Sequence, residues 1–165
     1  MRQRQEKLLS KQFVQGACFC GLALVTLNGV SSDLTEKEES MSVTGTFEVE
    51  LTPQQDDIVP AGRMLISKKY SGSMQGLGSG QMISKRVDGG VAIYFAIEEF
   101  DGAIEGVAGS FTLVHNGYMS SETQRLDITI LEGSGTGDLK NISGAMDITQ
   151  DDGAHQYELT YSLEL

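Results

Sequence analysis

Gly72-Ser-Met74-Gln-Gly76, Gly102-Ala-Ile104-Glu-Gly106 and Gly137-Asp-Leu139-Lys-Asn141 are three similar stretches that decide the fold of this chain. Each begins with a glycine, places a large apolar residue two positions later, and ends at a glycine or asparagine. Each also follows a run in which apolar and polar residues alternate. A repeated strand–turn–strand unit of this kind predicts a meander of antiparallel strands that closes on itself.

The alternating runs on either side of these stretches extend the pattern over the rest of the chain. Residues 43–51, 126–130 and 157–165 alternate with a period of two, which is typical of strands with one buried face. Residues 91–100 are rich in β-branched and aromatic residues, which also favours a strand. Counting the returning runs gives eight strands and no helical segment. The prediction is therefore an all-β fold, an eight-stranded antiparallel meander barrel, over residues 41–165.

Turn signals set the expected pairing of the strands. Asp101-Gly102 is a hairpin dipeptide and predicts the turn between the strand 91–100 and the strand that ends at His115. Because Asn141 stands where the other repeats have Gly76 and Gly106, a shared positive-φ bulge geometry is also expected at the three positions.

Charge and composition exclude several classes of protein. The chain carries a formal net charge of −11, and residues 41–165 hold seven basic against eighteen acidic side chains. A nucleic-acid partner is therefore not expected, since phosphate binding needs clustered positive charge. Both cysteines, Cys18 and Cys20, precede residue 41, so the predicted barrel has no disulfide and no cysteine metal site. No cofactor and no metal are expected.

The first forty residues form a separate segment with two interpretations. The basic residues before position 12 and the apolar run 16–27 fit an export signal ending near residue 32, and the run is too short for a stable membrane span. Alternatively, Lys37-Glu-Glu-Ser-Met41 is encodable by a ribosome-binding site before the true start, which would leave a cytoplasmic protein beginning at Met41. We favour the second interpretation; under both, residues 1–40 lie outside the fold.

Several motifs of the body occur in a fixed order at near-constant spacing. They are the run Thr44-Gly-Thr-Phe-Glu-Val-Glu-Leu-Thr-Pro-Gln54, Gly62-Arg-Met64, Ser79-Gly-Gln-Met82, Ala96-Ile-Glu98, Gly109-Ser-Phe-Thr-Leu-Val-His115, Ser134-Gly-Thr-Gly137 and His155-x-Tyr157. In these motifs residues 42–165 resemble a bacterial domain family of unknown function. The resemblance implies an allene oxide cyclase-like or calycin-like barrel and a natural start close to Met41. It implies no reaction.

Four polar residues are candidates for a site. Glu98 shares a strand face with Tyr94, and His115 shares one with apolar neighbours, so either ionisable group is a candidate acid or base if its face is interior. Tyr157 lies on the apolar face of the last strand. The structural alternatives are a surface charge for Glu98, a hydrogen-bonded barrel-mouth histidine for His115, and core aromatics for the tyrosines.

The expected turn at Asp101-Gly102 separates the two ionisable candidates. With that turn, Glu98 lies near one end of the barrel and His115 near the other, about 25 Å apart. Direct contact is then not expected unless a bulge at Gly106 or Gly109 shortens the strand. At most one of the two is the working group, and we favour Glu98. Tyr94, Glu98, His115 and Tyr157 are taken as the candidate ligand-binding set.

The function hypotheses follow from an eight-stranded barrel that holds side chains or one small ligand. The leading hypothesis is the binding of a small apolar or amphipathic molecule. The alternatives are an isomerase or cyclase acting on a hydrophobic substrate, by fold analogy, and a filled barrel with a structural or stress-related role. Apolar residues on both faces of the strand 91–100 further predict a homo-oligomer, with a dimer favoured over a trimer.

Overall fold

The computed structural model describes residues 39–55 and 60–164 of the chain. The predicted leader lies almost wholly outside these residues, and so do both cysteines. Eight strands follow one another along the chain: β1 Met41–Gln54, β2 Gly62–Gly72, β3 Met74–Arg86, β4 Ala92–Ile104, β5 Val107–Met119, β6 Gln124–Ile130, β7 Ile142–Asp151 and β8 Ala154–Leu163. Besides these strands the described residues contain one short 3₁₀ helix, Gly137–Leu139.

Each strand pairs with the next in antiparallel fashion, and β8 returns to pair with β1. The result is a closed meander barrel, which confirms the fold predicted from the alternating runs. Closure pairs the edge of the first strand with that of the last, whereas β6 and β7 are paired at Thr129 and Ala145 alone. No helix among the described residues is long and apolar enough to cross a membrane.

The two ends of the barrel differ in packing. The closed end carries the β2–β3 and β4–β5 connections and the 3₁₀ helix. Its core contains Met74, Ile104 and Leu139, the apolar residues of the three repeats, and all three are fully buried. At the open end, where the other connections lie, the inward side chains become partly exposed: Val49, Met64, Met82, Tyr94, Leu126 and Ile148.

The turn between β4 and β5 is not where the sequence predicted it. Asp101 and Gly102 lie inside β4, and the turn falls at Glu105 and Gly106, whose φ angles are 49° and 88°. Gly102 is needed for a different reason: its backbone lies so close to that of Gly76 that a Cβ would overlap it. Gly102 is therefore a position of close packing between β3 and β4, and the turn lies four residues further along the chain.

The prediction that the three repeats share a positive-φ bulge at their last residue is also wrong. Of the three positions that end the repeats, Gly106 alone has a positive φ. Gly76 is in regular strand geometry within β3, and Asn141 leads into β7 after the 3₁₀ helix. The repeats are alike in the buried residue they contribute to the closed end rather than in their backbone conformation.

Candidate functional site

The interior face of β4 is the one that carries Glu98. Tyr94, Ala96 and Glu98 point into the barrel, whereas Ile93, Phe95 and Ile97 point outward with 42–63% of their surface exposed. Glu98 is fully buried although it is a charged residue. Such a carboxylate must be compensated by nearby cations or hydrogen-bond donors, because transfer of an isolated charge out of water is very costly.

Three side chains compensate this carboxylate, two from β2 and one from β5. Lys68 Nζ donates to Glu98 Oε2 at 2.7 Å, and the Tyr70 hydroxyl donates to Oε1 at 2.7 Å. His115 Nε2 lies 3.0 Å from Oε2. Lys68, Tyr70 and His115 are themselves buried, so the four residues form a single enclosed group that we call the carboxylate cluster.

The contact between His115 and Glu98 corrects the expectation that they lie at opposite ends of the barrel. The turn at Glu105-Gly106 shifts the register, so that Ala96 pairs with His115 and Glu98 with Leu113. Both side chains then point inward from adjacent positions of one hairpin. The predicted 25 Å separation failed because it was counted from the wrong turn.

Lys68 has all its donor directions occupied. Besides Glu98 it donates to the Tyr70 hydroxyl at 3.3 Å, and its ammonium lies 4.6 Å from the centre of the Phe47 ring. A cation above an aromatic face is stabilised by the ring quadrupole, more strongly when water is excluded. Lys68 is therefore held inside the barrel by a carboxylate, a hydroxyl and an aromatic face.

His115 is the incompletely paired member of the cluster. Its Nε2 is buried and close to Oε2, but the oxygen lies outside the direction needed for a hydrogen bond, and within the described residues this nitrogen has no other hydrogen-bond partner. An imidazole so placed retains capacity to hydrogen-bond a bound molecule.

The pKa values of the cluster follow from burial and pairing. Burial alone would raise the pKa of Glu98, but His115, Lys68 and Tyr70 outweigh it and hold the pKa below its ordinary value. Burial and the adjacent carboxylate raise the pKa of Tyr70 well above the usual tyrosine range. Glu98 is therefore ionised and Tyr70 protonated at neutral pH, so the hydroxyl donates and the carboxylate accepts.

Glycine in β3 provides the space for the cluster. A Cβ on the inward-facing Gly78 would overlap Glu98 Oε1 and would lie 3.1 Å from Lys68 Cβ. The carboxylate thus occupies the volume that a side chain of β3 would otherwise fill. Glycine at position 78 is therefore a requirement of the buried charge.

Tyr94 and Tyr157 lie on opposite sides of the cluster. The Tyr94 ring is partly exposed and covers Gly117. These two residues pair across β4 and β5, two positions nearer the open end than the pair of Ala96 and His115. Tyr157 contacts the Tyr70 ring, and its hydroxyl accepts the Met74 N–H at 2.7 Å. This bond gives Tyr157 a structural partner at the closed end, whereas Tyr94 lines the open half.

Sequence reasoning missed Lys68 and Tyr70. The signal was present in β2, where Met64, Ile66 and Tyr70 mark the inward face and Lys68 lies at the same parity between them. A lysine on an otherwise apolar face requires a buried partner. Recognising it would have pointed to a carboxylate inside the barrel.

The remaining histidine, His155, is half-buried rather than exposed as its position beside a turn suggested. Its ring stacks on Phe47 with centroids 5.1 Å apart. In the part of the chain that the structure describes, no group of three or more histidine, cysteine, aspartate or glutamate side chains is arranged to hold a metal ion.

The protein is thus of the class of closed eight-stranded antiparallel barrels, with a charged cluster buried in its interior. Residues 43–161 match the family described as Protein of unknown function (DUF3224), and the chain belongs to that family. It is similar to a crystal structure of a DUF3224 protein of unknown function from Shewanella oneidensis MR-1. That similarity has 35% sequence identity and a TM-score of 0.71, and covers 77% of this chain and all of the other. No curated protein matches the chain.

Replacing Glu98 by Gln is expected to destabilise the protein by about 3 to 5 kcal/mol, because Lys68 would remain buried without its counter-charge. Urea unfolding monitored by circular dichroism measures the effect. Glu158→Gln is the matched control, since Glu158 is exposed and accepts one hydrogen bond from Ser42; it should change stability by less than about 0.5 kcal/mol. The double variant Lys68→Met/Glu98→Gln should recover part of the loss. Equal stability of Glu98→Gln and the control would contradict the pairing.

The lowered pKa of Glu98 also predicts a pH dependence. A carboxyl group whose folded-state pKa lies below its ordinary value of 4.5 contributes stability above that pH and loses it as the pH falls through the folded-state value. The difference in unfolding free energy between wild type and Glu98→Gln should therefore shrink as the pH decreases below about 4.5. Urea titrations at pH 6 and pH 3.5 measure it; a difference that stays constant would show that Glu98 is not ionised in the folded protein.

Proposed function

We propose that this protein binds a small amphipathic molecule in the open half of its barrel, with the polar group of the ligand directed at His115. The observation that carries the proposal is the incompletely paired, buried Nε2 of His115 beside an open end lined by partly exposed apolar side chains. Ligand sites combine apolar walls with a few convergent polar groups in this way.

The shape of the interior supports this location. Ala96 has a small side chain and Gly117 has none, so these two residues occupy little of the space next to His115 on the side of the open end. The closed end, in contrast, is filled by core residues that are fully buried. The Tyr94 ring occupies the space above Gly117. Rotation of this partly exposed ring would widen the approach to His115 without disturbing the closed end.

The charges in the cluster favour a polar but not strongly basic head group. Glu98 is neutralised by Lys68 and fully buried, so it is not available as a counter-ion for a cationic ligand. His115 is as buried as Lys68, with 5% of its surface exposed, but its Nε2 has no hydrogen-bond partner among the described residues. Hydroxyl, carbonyl and carboxylate groups are the hydrogen-bonding partners suited to an imidazole.

We expect the amphipathic dye 1-anilinonaphthalene-8-sulfonate to bind the wild-type protein with a fluorescence increase. His115→Gln should weaken the affinity about tenfold, because one buried hydrogen bond to the ligand is worth about 1 to 1.5 kcal/mol. Leu77→Asp, which removes an exposed apolar side chain from the outer surface of β3, is the control and should leave the affinity unchanged.

A different pattern would refute the interior site. Loss of dye binding in Ile97→Asp, which removes an exposed apolar side chain from the outer face of β4, with no change in His115→Gln would place the dye on the outer surface. Absence of binding to the wild type, together with no retained small molecule in native mass spectrometry of freshly purified protein, would favour the filled-barrel structural role.

A second candidate function is proton transfer on a bound hydrophobic substrate, as in an isomerase. The specific observation is the 3.0 Å separation of His115 Nε2 and Glu98 Oε2. In this arrangement His115 removes and returns the proton, and Glu98 lies beside the imidazole as its neighbouring carboxylate. The ionised, fully paired Glu98 is a weak base, so His115 rather than Glu98 is the proton carrier in this candidate.

Deuterium incorporation distinguishes the enzyme from the binding protein. A ligand released from the wild-type protein and incubated with it in D₂O should gain mass at an acidic C–H position if the protein is an isomerase, and His115→Gln should abolish that gain. Retention of the ligand mass with the wild type would leave binding as the function of the site.

We also propose that the chain forms a homo-oligomer. The support is the outward face of β4, where Ile93, Phe95 and Ile97 are exposed in a single chain. Monomeric proteins rarely present contiguous apolar patches beyond a few hundred Å².

A further inference from the structure

The outer surface of the barrel is apolar on one side only. We define the apolar face as Leu65, Ile83, Phe95, Ile97 and Val114, which point outward from β2, β3, β4 and β5. On the far side, the outward positions of β7 and β8 are small or polar: Ser143, Ala145, Asp147, Thr149, Gln156, Glu158 and Thr160. Exposure to water alone does not account for this difference between the two sides of the barrel.

The members of the apolar face are neighbours in the sheet. Ile83 pairs with Phe95, and Ile97 pairs with Val114, so their side chains form one continuous surface. The face borders an open groove of about 1010 Å³. A continuous exposed apolar surface beside such a groove is typical of a protein interface rather than of the surface of a monomer.

Charged side chains flank the apolar face asymmetrically. Glu50 and Glu99 line the groove on the side of the closed end. Lys85 lies toward the open end, paired with Ile93. Ile93 and Glu99 are six residues apart on β4, a span of about 20 Å, and its midpoint falls between Phe95 and Ile97.

We propose that a second copy of this chain covers the apolar face through a two-fold axis that lies in the plane of the interface, runs across the strands and passes over β4 between Phe95 and Ile97. A two-fold interface brings the same patch of both copies together in opposite directions. Glu99 of each copy then meets Lys85 of the other, and the apolar side chains meet at the centre. The inference rests on the proposed self-association and fixes its surface and symmetry.

The charge pattern favours a second copy over other occupants. A face with an acid at one end and a base at the other is self-complementary in the antiparallel sense, and like charges would meet if the two copies were parallel. Glu99 is held on the outer surface by a 2.8 Å hydrogen bond from Thr112 Oγ1, so its carboxylate is positioned before association.

Sedimentation equilibrium at micromolar concentration tests the proposal. The wild type should be a dimer. Ile97→Asp should yield monomers, since it places a charge at the centre of the interface. Leu77→Asp is the matched control: Leu77 is 61% exposed, close to the 63% of Ile97, but it lies on β3 beyond the apolar face, and this variant should remain dimeric. Circular dichroism of each variant verifies that the barrel is retained.

A charge exchange tests the orientation of the two copies. Glu99→Lys and Lys85→Glu should each weaken the dimer at least tenfold, and the double variant Glu99→Lys/Lys85→Glu should restore it. A wild-type monomer would overturn both self-association and this inference. A dimer that resists Ile97→Asp would overturn the proposed face alone, and a double variant that is not restored would overturn the two-fold pairing of Glu99 with Lys85.

Discussion

The interior of this barrel is organised by the fully buried carboxylate of Glu98. A charge in this position is stable only if cations and donors surround it, and Lys68, Tyr70 and His115 supply them from two other strands. These contacts tie β2, β4 and β5 together through side chains in addition to their backbone ladders. Gly78 of β3 completes the arrangement, because the carboxylate lies where a side chain of that strand would be.

Such a cluster has a structural and a functional aspect. Replacement of a buried ion pair by apolar residues of similar volume is often neutral or stabilising, so stability alone does not account for the presence of the cluster. Under the proposed function its position accounts for it, because the cluster lies between a closed end of fully buried residues and an open end of partly exposed ones. A polar floor beneath apolar walls is what an amphipathic ligand requires, and His115 is the member with hydrogen-bonding capacity to spare.

The inner and outer faces of β4 carry separate parts of the proposed function. Alternation along the strand directs Glu98 inward toward the cluster and Ile97 outward toward the apolar face. The two proposals therefore depend on side chains that are adjacent in sequence but on opposite sides of the sheet. Substitutions at the inner and outer positions can be combined to separate ligand binding from self-association.

The sequence by itself determined the closed eight-stranded barrel, because alternation with a period of two and regularly spaced turns depend on local residues alone. It also named Glu98 and His115 as candidate site residues, but it left open which face of the strand 91–100 is interior. Their contact was decided by tertiary structure: the turn lies at Glu105-Gly106 instead of Asp101-Gly102, and four residues of turn position change the register of the whole hairpin. Lys68 was likewise assigned by the structure, since which partner compensates a buried charge depends on strands that are distant in sequence.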